Sequence, residues 1–430
     1  MVESGIQDMP LPKYAVSSTV STSRQIVILV GGKGTRLGHE TRNTPKPLMA
    51  IDEDRVFLDF LLDNVVRQGF RHIIMIAGYY GEQIVERYAY RRIGDAQIDV
   101  VIEPVPMGTG GALAFVKDIL ADRFVLMNGD TLFETNLRAI DSLLSLNPTA
   151  KCAMALRHVD DVGRYGAVKL NAADKFIEGY QEKSVTAEKR AGLINGGIYA
   201  MHKSVIDLIP DQPISLEADI LPRLIEKRQV LGQASDGYFL DIGLPETLRQ
   251  ARKELPMRQR PVLFLDRDGV VNVDHGYTHT IDAWEWIPGA FEVIKKANDS
   301  NISVVIVTNQ SGIARGYYEE SDVWRLHGQV NHQLNIGGAF IDSFYYCPDY
   351  PDAVIDAYRV KVPLGRKPDP TMLSRAIRQH NLDPKKALLI GDQQTDIEAA
   401  FAVGIPALRF GGGRLDDFLF NTDEWSRLCS

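Results

Sequence analysis

Twice along this chain, short unbroken apolar runs alternate with amphipathic segments of helical length. The first series holds 25-QIVILVGG-32, 72-HIIMIAG-78, 98-IDVVIE-103 and 123-RFVLMNGD-130, with helix-like stretches such as 57-FLDFLLDNVVRQG-69 between them. A strand with no polar face is buried on both sides, which indicates a parallel sheet covered by helices on each face. The rhythm breaks in the polar stretch 256-PMRQR-260. It restarts with 262-VLFLD-266, 302-ISVVIVTN-309, 341-IDSFYYC-347 and 387-ALLIGD-392. A chain of 430 residues also exceeds what one core usually fills. The expectation is therefore an α/β protein of two domains, at 24–252 and 261–430, joined by a linker at 253–260 and preceded by a mobile tail at 1–23.

A formal net charge of −8 with no basic stripe argues against nucleic acid as the main partner. Cys152, Cys347 and Cys429 are too few and too scattered for a disulfide framework. No apolar run approaches the roughly 18–20 residues of a membrane span. The first residues lack the apolar centre of a signal peptide. The reading is a cytoplasmic protein working on small molecules, with a homo-oligomer left open.

In open α/β sheets, ligands sit beyond the carboxyl ends of the strands. In the second half those ends carry Asp266 and Asp268, then Thr308 and Asn309, then Asp392, with Lys367 in the loop 365-GRKPDP-370. The set suffices for phosphoryl transfer. Asp266 would attack phosphorus, and Asp268 would protonate the leaving oxygen and later activate water. Mg²⁺ on Asp266, Asp392 and a backbone carbonyl, with Asp268 also a candidate metal residue, would neutralise charge, with Thr308 and Lys367 on the phosphate oxygens.

The motif 266-DRDG-269 resembles the haloacid dehalogenase superfamily of phosphatases, which implies a Rossmannoid sheet. Within it, 266-DRDGVVNVDHGYTHTIDAWEWIPGA-290, 307-VTNQSGIARGYY-318 and 366-RKPDP-370 resemble the heptose 1,7-bisphosphate 7-phosphatases. That resemblance implies a sugar bisphosphate that loses its primary phosphate, with Asn309, Arg315 and Arg366 among the substrate contacts. Two departures stand out. Asp349 replaces the histidine, and 363-PLG-365 the cysteine pair, of a zinc loop common in that family, so zinc is not expected. Gln393 stands where a lysine is usual.

In the first half, 31-GGKGTRLG-38 presents backbone N–H groups of Gly31, Gly32, Gly34 and Thr35 with the charges of Lys33 and Arg36. Lys46 follows on the stiff loop 44-TPKPL-48, and Asp130 and Asp241 are candidates to share Mg²⁺. Together these resemble the sugar-1-phosphate nucleotidylyltransferases, a Rossmann-like family, and most nearly its heptose 1-phosphate guanylyltransferases. The resemblance implies that Arg36 and Lys46 act on the phosphates, and that Lys183 binds the sugar phosphate. It also puts Glu182 and Asn195 on sugar hydroxyls, and Gly108 and Gly110 against the base of GTP. Both chemistries then run in sequence, from heptose 1,7-bisphosphate through heptose 1-phosphate to GDP-heptose. The alternatives are the same fusion with another sugar or nucleotide, and a sensor with one inactive domain.

Overall fold

The computed structural model describes residues 23–32, 34–164, 167–181 and 190–429. The candidate residues Lys33, Glu182 and Lys183 lie outside them, as does most of the expected tail.

The strands before residue 245 are β1 (Gln25–Leu29), β2 (His72–Ala77), β3 (Arg92–Ile93), β4 (Ala96–Ile102), β5 (Arg123–Asn128), β6 (Thr131–Phe133), β7 (Cys152–Val159), β8 (Ala167–Leu170), β9 (Ile177–Gln181), β10 (Gly192–His202), β11 (Val230–Ser235) and β12 (Phe239–Asp241). The main sheet runs β11-β7-β10-β5-β1-β2-β4-β3, and β6 pairs with β12 in a separate ribbon. From β5 to β4 the pairing is parallel, as the apolar runs require. Beyond β5 it changes, because β10 is antiparallel to both β5 and β7. The sheet is thus mixed: parallel from β5 to β4 and again between β7 and β11, with β10 running against its neighbours between them.

The later strands are β13 (Arg260–Leu265), β14 (Ser303–Asn309), β15 (Ser343–Cys347), β16 (Leu382–Gly391) and β17 (Ala407–Arg409). They form one parallel sheet in the order β15-β14-β13-β16-β17. In both sheets successive residues of the central strand enter opposite cores. Ile26 and Ile28 pack in one cluster and Val27 in another; Leu263 and Leu265 pack opposite Val262 and Phe264. Helices on both faces are what make an unbroken apolar strand stable here.

The expected linker is largely structured. The helix Pro245–Glu254 passes into a turn at Leu255–Met257, Leu255 is buried, and β13 starts at Arg260. The reason is that the two sheets are docked. Arg67 donates to Asp342 at 2.8 Å in a largely buried ion pair. Asn136 donates to Asp299 at 2.7 Å and to the Gly338 carbonyl at 2.8 Å, and Ser142 to the Ile336 carbonyl at 2.9 Å. No helix among the described residues is long and apolar enough to cross a membrane.

Candidate active sites

β14, β13 and β16 are neighbours, so their carboxyl ends bring Thr308, Asp266 and Asp392 side by side. These residues line one cavity of about 410 Å³ together with Asp268, Asn309 and Lys367. Asp266 is buried, and Lys367 Nζ lies 2.8 Å from its Oδ1 and 2.6 Å from Asp396 Oδ1. Burial pushes the Asp266 carboxyl above its ordinary range while Lys367 pulls it back. For Lys367, burial opposes the charge, but Asp266 and Asp396 outweigh it and hold the ammonium protonated.

Ligand atoms of Asp266, Asp392 and Asp396 fall within 4.8 Å of one another, and Asp392 Oδ1 is buried without a hydrogen-bond partner. Three acids facing one lysine leave the site short of positive charge. A hard divalent cation fits that donor set. Gln393 donates to Asp392 Oδ2 at 2.6 Å, so a neutral amide occupies the position where a lysine was expected. Gly269 has φ +86°, and a Cβ there would sit 2.6 Å from Asp392 Oδ2; the glycine lets the acid-bearing loop close over Asp392.

Asp268 accepts from four donor atoms: Arg267 Nε at 3.1 Å and Nη2 at 2.9 Å, Asn272 Nδ2 at 3.0 Å and Gln310 Nε2 at 2.9 Å. These bonds fix the orientation of the Asp268 side chain at the mouth of the cavity. Gln310 also reaches Thr308 Oγ1 at 2.9 Å and is held by Tyr318 Oη at 2.7 Å. Asn309 lines the cavity, and its amide accepts from the Lys367 N–H at 2.9 Å and donates to the Lys367 carbonyl at 3.1 Å, which ties the lysine loop to the end of β14. Arg315 and Arg366 both stack on Tyr350, at 4.4 and 5.0 Å from its ring centre. They stand beside the cavity rather than in its lining.

The loop expected to have lost its zinc ligands is held by hydrogen bonds around Glu320, which accepts from Tyr346 and from Tyr358, the latter at 2.8 Å. Val354 in this loop is 71% exposed and does not help to pack it. Cys347 is buried with its thiol directed at the Leu364 carbonyl, 3.8 Å away.

In the first domain, Asp130 follows β5 directly, and the β6–β12 ribbon sets Asp241 opposite Thr131. Lys46, buried, donates to Asp130 Oδ2 at 2.6 Å and to Asp241 Oδ1 at 3.2 Å. A Cβ at Gly243 would lie 3.2 Å from Lys46 Nζ and 3.3 Å from Arg36 Nη2, so Arg36 joins the same cluster. Two carboxylates plus substrate phosphates are a usual Mg²⁺ set. Gly31, Gly32 and Gly34 connect β1 to the turn that starts at Thr35.

Gly108 and Gly110 pack closely on the segment that begins at Ile214. A Cβ at Gly108 would sit 2.5 Å from the Ile214 carbonyl oxygen, and Gly110 N donates to that oxygen at 3.0 Å. Their missing side chains admit the 214–216 backbone. Asn195 lines a cavity of about 290 Å³ with Asn128, Tyr199, Glu217 and Asp241. It donates to Tyr199 Oη at 2.7 Å, and Glu217 in turn accepts from Thr109 at 2.6 Å and Ser215 at 3.2 Å.

Two halves thus present two sets of phosphate-directed groups, each at the carboxyl end of its own sheet. Residues 25–257 match the family model for nucleotidyl transferases, and 194–404 that for haloacid dehalogenase-like hydrolases. The chain belongs to both families. The second match begins inside the first sheet, at β10, although the sheet carrying Asp266 starts only at β13. Among curated relatives, a D-glycero-beta-D-manno-heptose-1,7-bisphosphate 7-phosphatase of Rhodopseudomonas palustris is 42% identical over 37% of this chain and 89% of its own. A D-glycero-alpha-D-manno-heptose 1-phosphate guanylyltransferase of Campylobacter jejuni is 35% identical over 52% of this chain and 96% of its own. A D-glycero-alpha-D-manno-heptose-1,7-bisphosphate 7-phosphatase of Burkholderia mallei is 41% identical over 33% of this chain and 75% of its own. The chain is a nucleotidyltransferase joined to a phosphatase.

Sequence reasoning missed Asp396, Gln310 and Glu217 as site residues. For Asp396 a signal existed: it closes the stretch 391-GDQQTD-396, four residues after Asp392. Gln310 and Glu217 matter through partners brought by other elements.

Proposed function

We infer that this chain removes the 7-phosphate of D-glycero-D-manno-heptose 1,7-bisphosphate and then joins the heptose 1-phosphate to GMP from GTP. The products are phosphate, pyrophosphate and GDP-heptose. The observation that carries the reading is the presence, in one chain, of two intact phosphate sites whose separate relatives act on consecutive substrates.

In the phosphatase, Asp266 Oδ attacks the phosphorus at C7 and the P–O7 bond breaks, leaving an aspartyl-phosphate. Asp268 delivers a proton to O7, then recovers one from the water that hydrolyses the phospho-enzyme. Lys367 neutralises the phosphate and is kept charged by Asp396. Thr308 contributes its hydroxyl, oriented by Gln310. Mg²⁺ on Asp266 and Asp392, with a backbone carbonyl of the Asp268 loop, would supply electrophilic stabilisation of the transferring group. In the first domain, Arg36 and Lys46 hold the triphosphate while an oxygen of the sugar 1-phosphate displaces pyrophosphate; Asp130 and Asp241 would hold Mg²⁺. Asn195 and the Glu217 cluster face the sugar.

Consecutive turnover fixes the anomer. A guanylyltransferase of the α-1-phosphate is fed only by a phosphatase that accepts the α-bisphosphate, as the relative from Burkholderia mallei does by name. The test is incubation of α- and β-bisphosphate separately with each of the four nucleoside triphosphates and Mg²⁺, reading phosphate, pyrophosphate and nucleotide-sugar mass. GDP-heptose from the α-anomer and GTP is expected. Pyrophosphate release with another triphosphate in preference to GTP would overturn the base assignment, and phosphate without pyrophosphate from any would overturn the coupling.

A further inference from the structure

Where the domains meet, a cavity of about 490 Å³ takes its walls from both, and five guanidinium groups line it: Arg55, Arg67, Arg71, Arg258 and Arg260. Three have carboxylate partners. Arg55 pairs with Asp52 at 2.8 Å, Arg67 with Asp342 at 2.8 Å, and Arg258 with Glu134 at 2.6 Å. The other two are poorly matched among the described residues. Arg71 donates to the Val66 and Phe70 carbonyls, at 3.0 and 3.1 Å. Arg260 comes within 3.8 Å of Glu134, a carboxylate already engaged by Arg258 and by Asn301 at 2.8 Å. The Nε atoms of Arg67 and Arg260 are buried with no acceptor.

Two further acids, Asp63 and Asp95, belong to the lining, but neither forms an ion pair with these arginines among the described residues. Burial and the nearby Arg67 bring the Arg260 guanidinium down to about 10 against the pull of Glu134, Asp342 and Asp63; burial lowers Arg71 against the pull of Asp95, and raises the Asp63 carboxyl against that of Arg260. A cation buried without a full set of acceptors is unfavourable unless something else brings them. Guanidinium forks suit phosphate oxygens, which accept two parallel bonds from one side chain. The remaining lining includes Val66, Ile93, Leu132 and Leu255, which suits an aromatic base better than a polyol. The volume lies within the range of small-molecule sites.

We propose that this interdomain cavity is a nucleotide site separate from both active sites, with Arg71 and Arg260 binding the phosphates and the apolar wall receiving the base. Because its walls belong to both domains, an occupant there strengthens their docking and links the state of one domain to the other.

The test is hydrogen–deuterium exchange of the full chain with GTP, GDP-mannose or inorganic phosphate added separately at millimolar concentration. Either nucleotide is expected to slow exchange in peptides around Asp63–Arg71, Arg92–Asp95 and Gln379–Asn381, besides peptides of the nucleotidyltransferase site. Arg260→Gln and Arg71→Gln should each raise the concentration needed for protection at the cavity about tenfold or more, the loss expected for one charged hydrogen-bond donor. Protection at the nucleotidyltransferase site should be unchanged. Arg71 lies outside β13, so its replacement tests the site even where Arg260→Gln disturbs that strand. Unchanged pyrophosphate release in each variant certifies the fold. The proposal is overturned if the three cavity peptides show no protection, if protection survives both substitutions, or if inorganic phosphate alone protects as well as a nucleotide. None of these outcomes bears on whether the first domain uses GTP.

Discussion

Replacing Gly269 by alanine tests how the phosphatase site is assembled. Gly269 has φ +86°, and an added Cβ would lie 2.6 Å from Asp392 Oδ2 and 2.8 Å from its Cγ. Left-handed backbone at a residue with a Cβ costs about 1–2 kcal/mol. The Asp392 carboxylate must also retreat by roughly 1 Å to recover ordinary van der Waals separation. That carboxylate belongs to the cluster with Asp266 and Asp396, so the retreat moves a proposed Mg²⁺ ligand. A displacement of that size at a reacting centre costs on the order of 100-fold in rate. G269A should therefore lose about 100-fold in phosphate release from the bisphosphate, with part of the loss recovered at high Mg²⁺. It should melt a few degrees lower and keep its pyrophosphate release. Phosphate release within about threefold of the parent, in a variant shown by crystallography to keep the loop in place, would refute the argument that Gly269 exists to admit Asp392.

Other substitutions divide the molecule in different ways. Asp266→Asn should abolish phosphate release and leave nucleotidyl transfer nearly intact, and Asp130→Ala should do the reverse; loss of both activities from either change, with the fold preserved, would show a shared site. Metal analysis of purified protein should find no stoichiometric zinc while both activities require Mg²⁺; one equivalent of zinc whose removal loosens the Glu320 loop would contradict this. His327 is buried, stacks on Phe344 at 4.2 Å, and burial lowers its pKa to about 3. Below the unfolded value near 6.5 the unfolded chain binds a proton that the folded one refuses, so stability falls as pH drops through that value toward 3. His327→Phe should flatten the stability of the phosphatase domain between pH 7 and 5 by about 2 kcal/mol in denaturant titrations, and an unchanged slope would show that the ring is not the acid-sensitive group. Arg67→Met leaves Asp342 buried without its partner and should cost about 3–5 kcal/mol of domain docking, read as earlier melting of one domain; coincident, unshifted transitions would count against the interface.

The sequence by itself determined the strands and the acids that end them. An apolar run such as 262-VLFLD-266 has one stable place, the middle of a parallel sheet, and the residue after it must emerge at the ligand-binding edge. Asp266, Thr308, Asp392 and Asp130 were legible because their positions follow from strand ends alone. Lys46 was legible as a cation on a proline-stiffened loop, though not as the partner of Asp130 and Asp241, since Asp241 is 195 positions away. Tertiary structure decided everything that depends on which element meets which. Asp396 reaches Lys367 because its helix packs on β16 and β17. Gln310 becomes a bridge only when Asp268 and Tyr318 close on it from two loops. That the Cβ directions of Gly108 and Gly110 are filled by the Ile214 segment, more than a hundred positions later, was not legible either. The docking of the domains was invisible for the same reason. Arg67 and Asp342 stand 275 positions apart, and short-range periodicity carries no information about pairs at that separation.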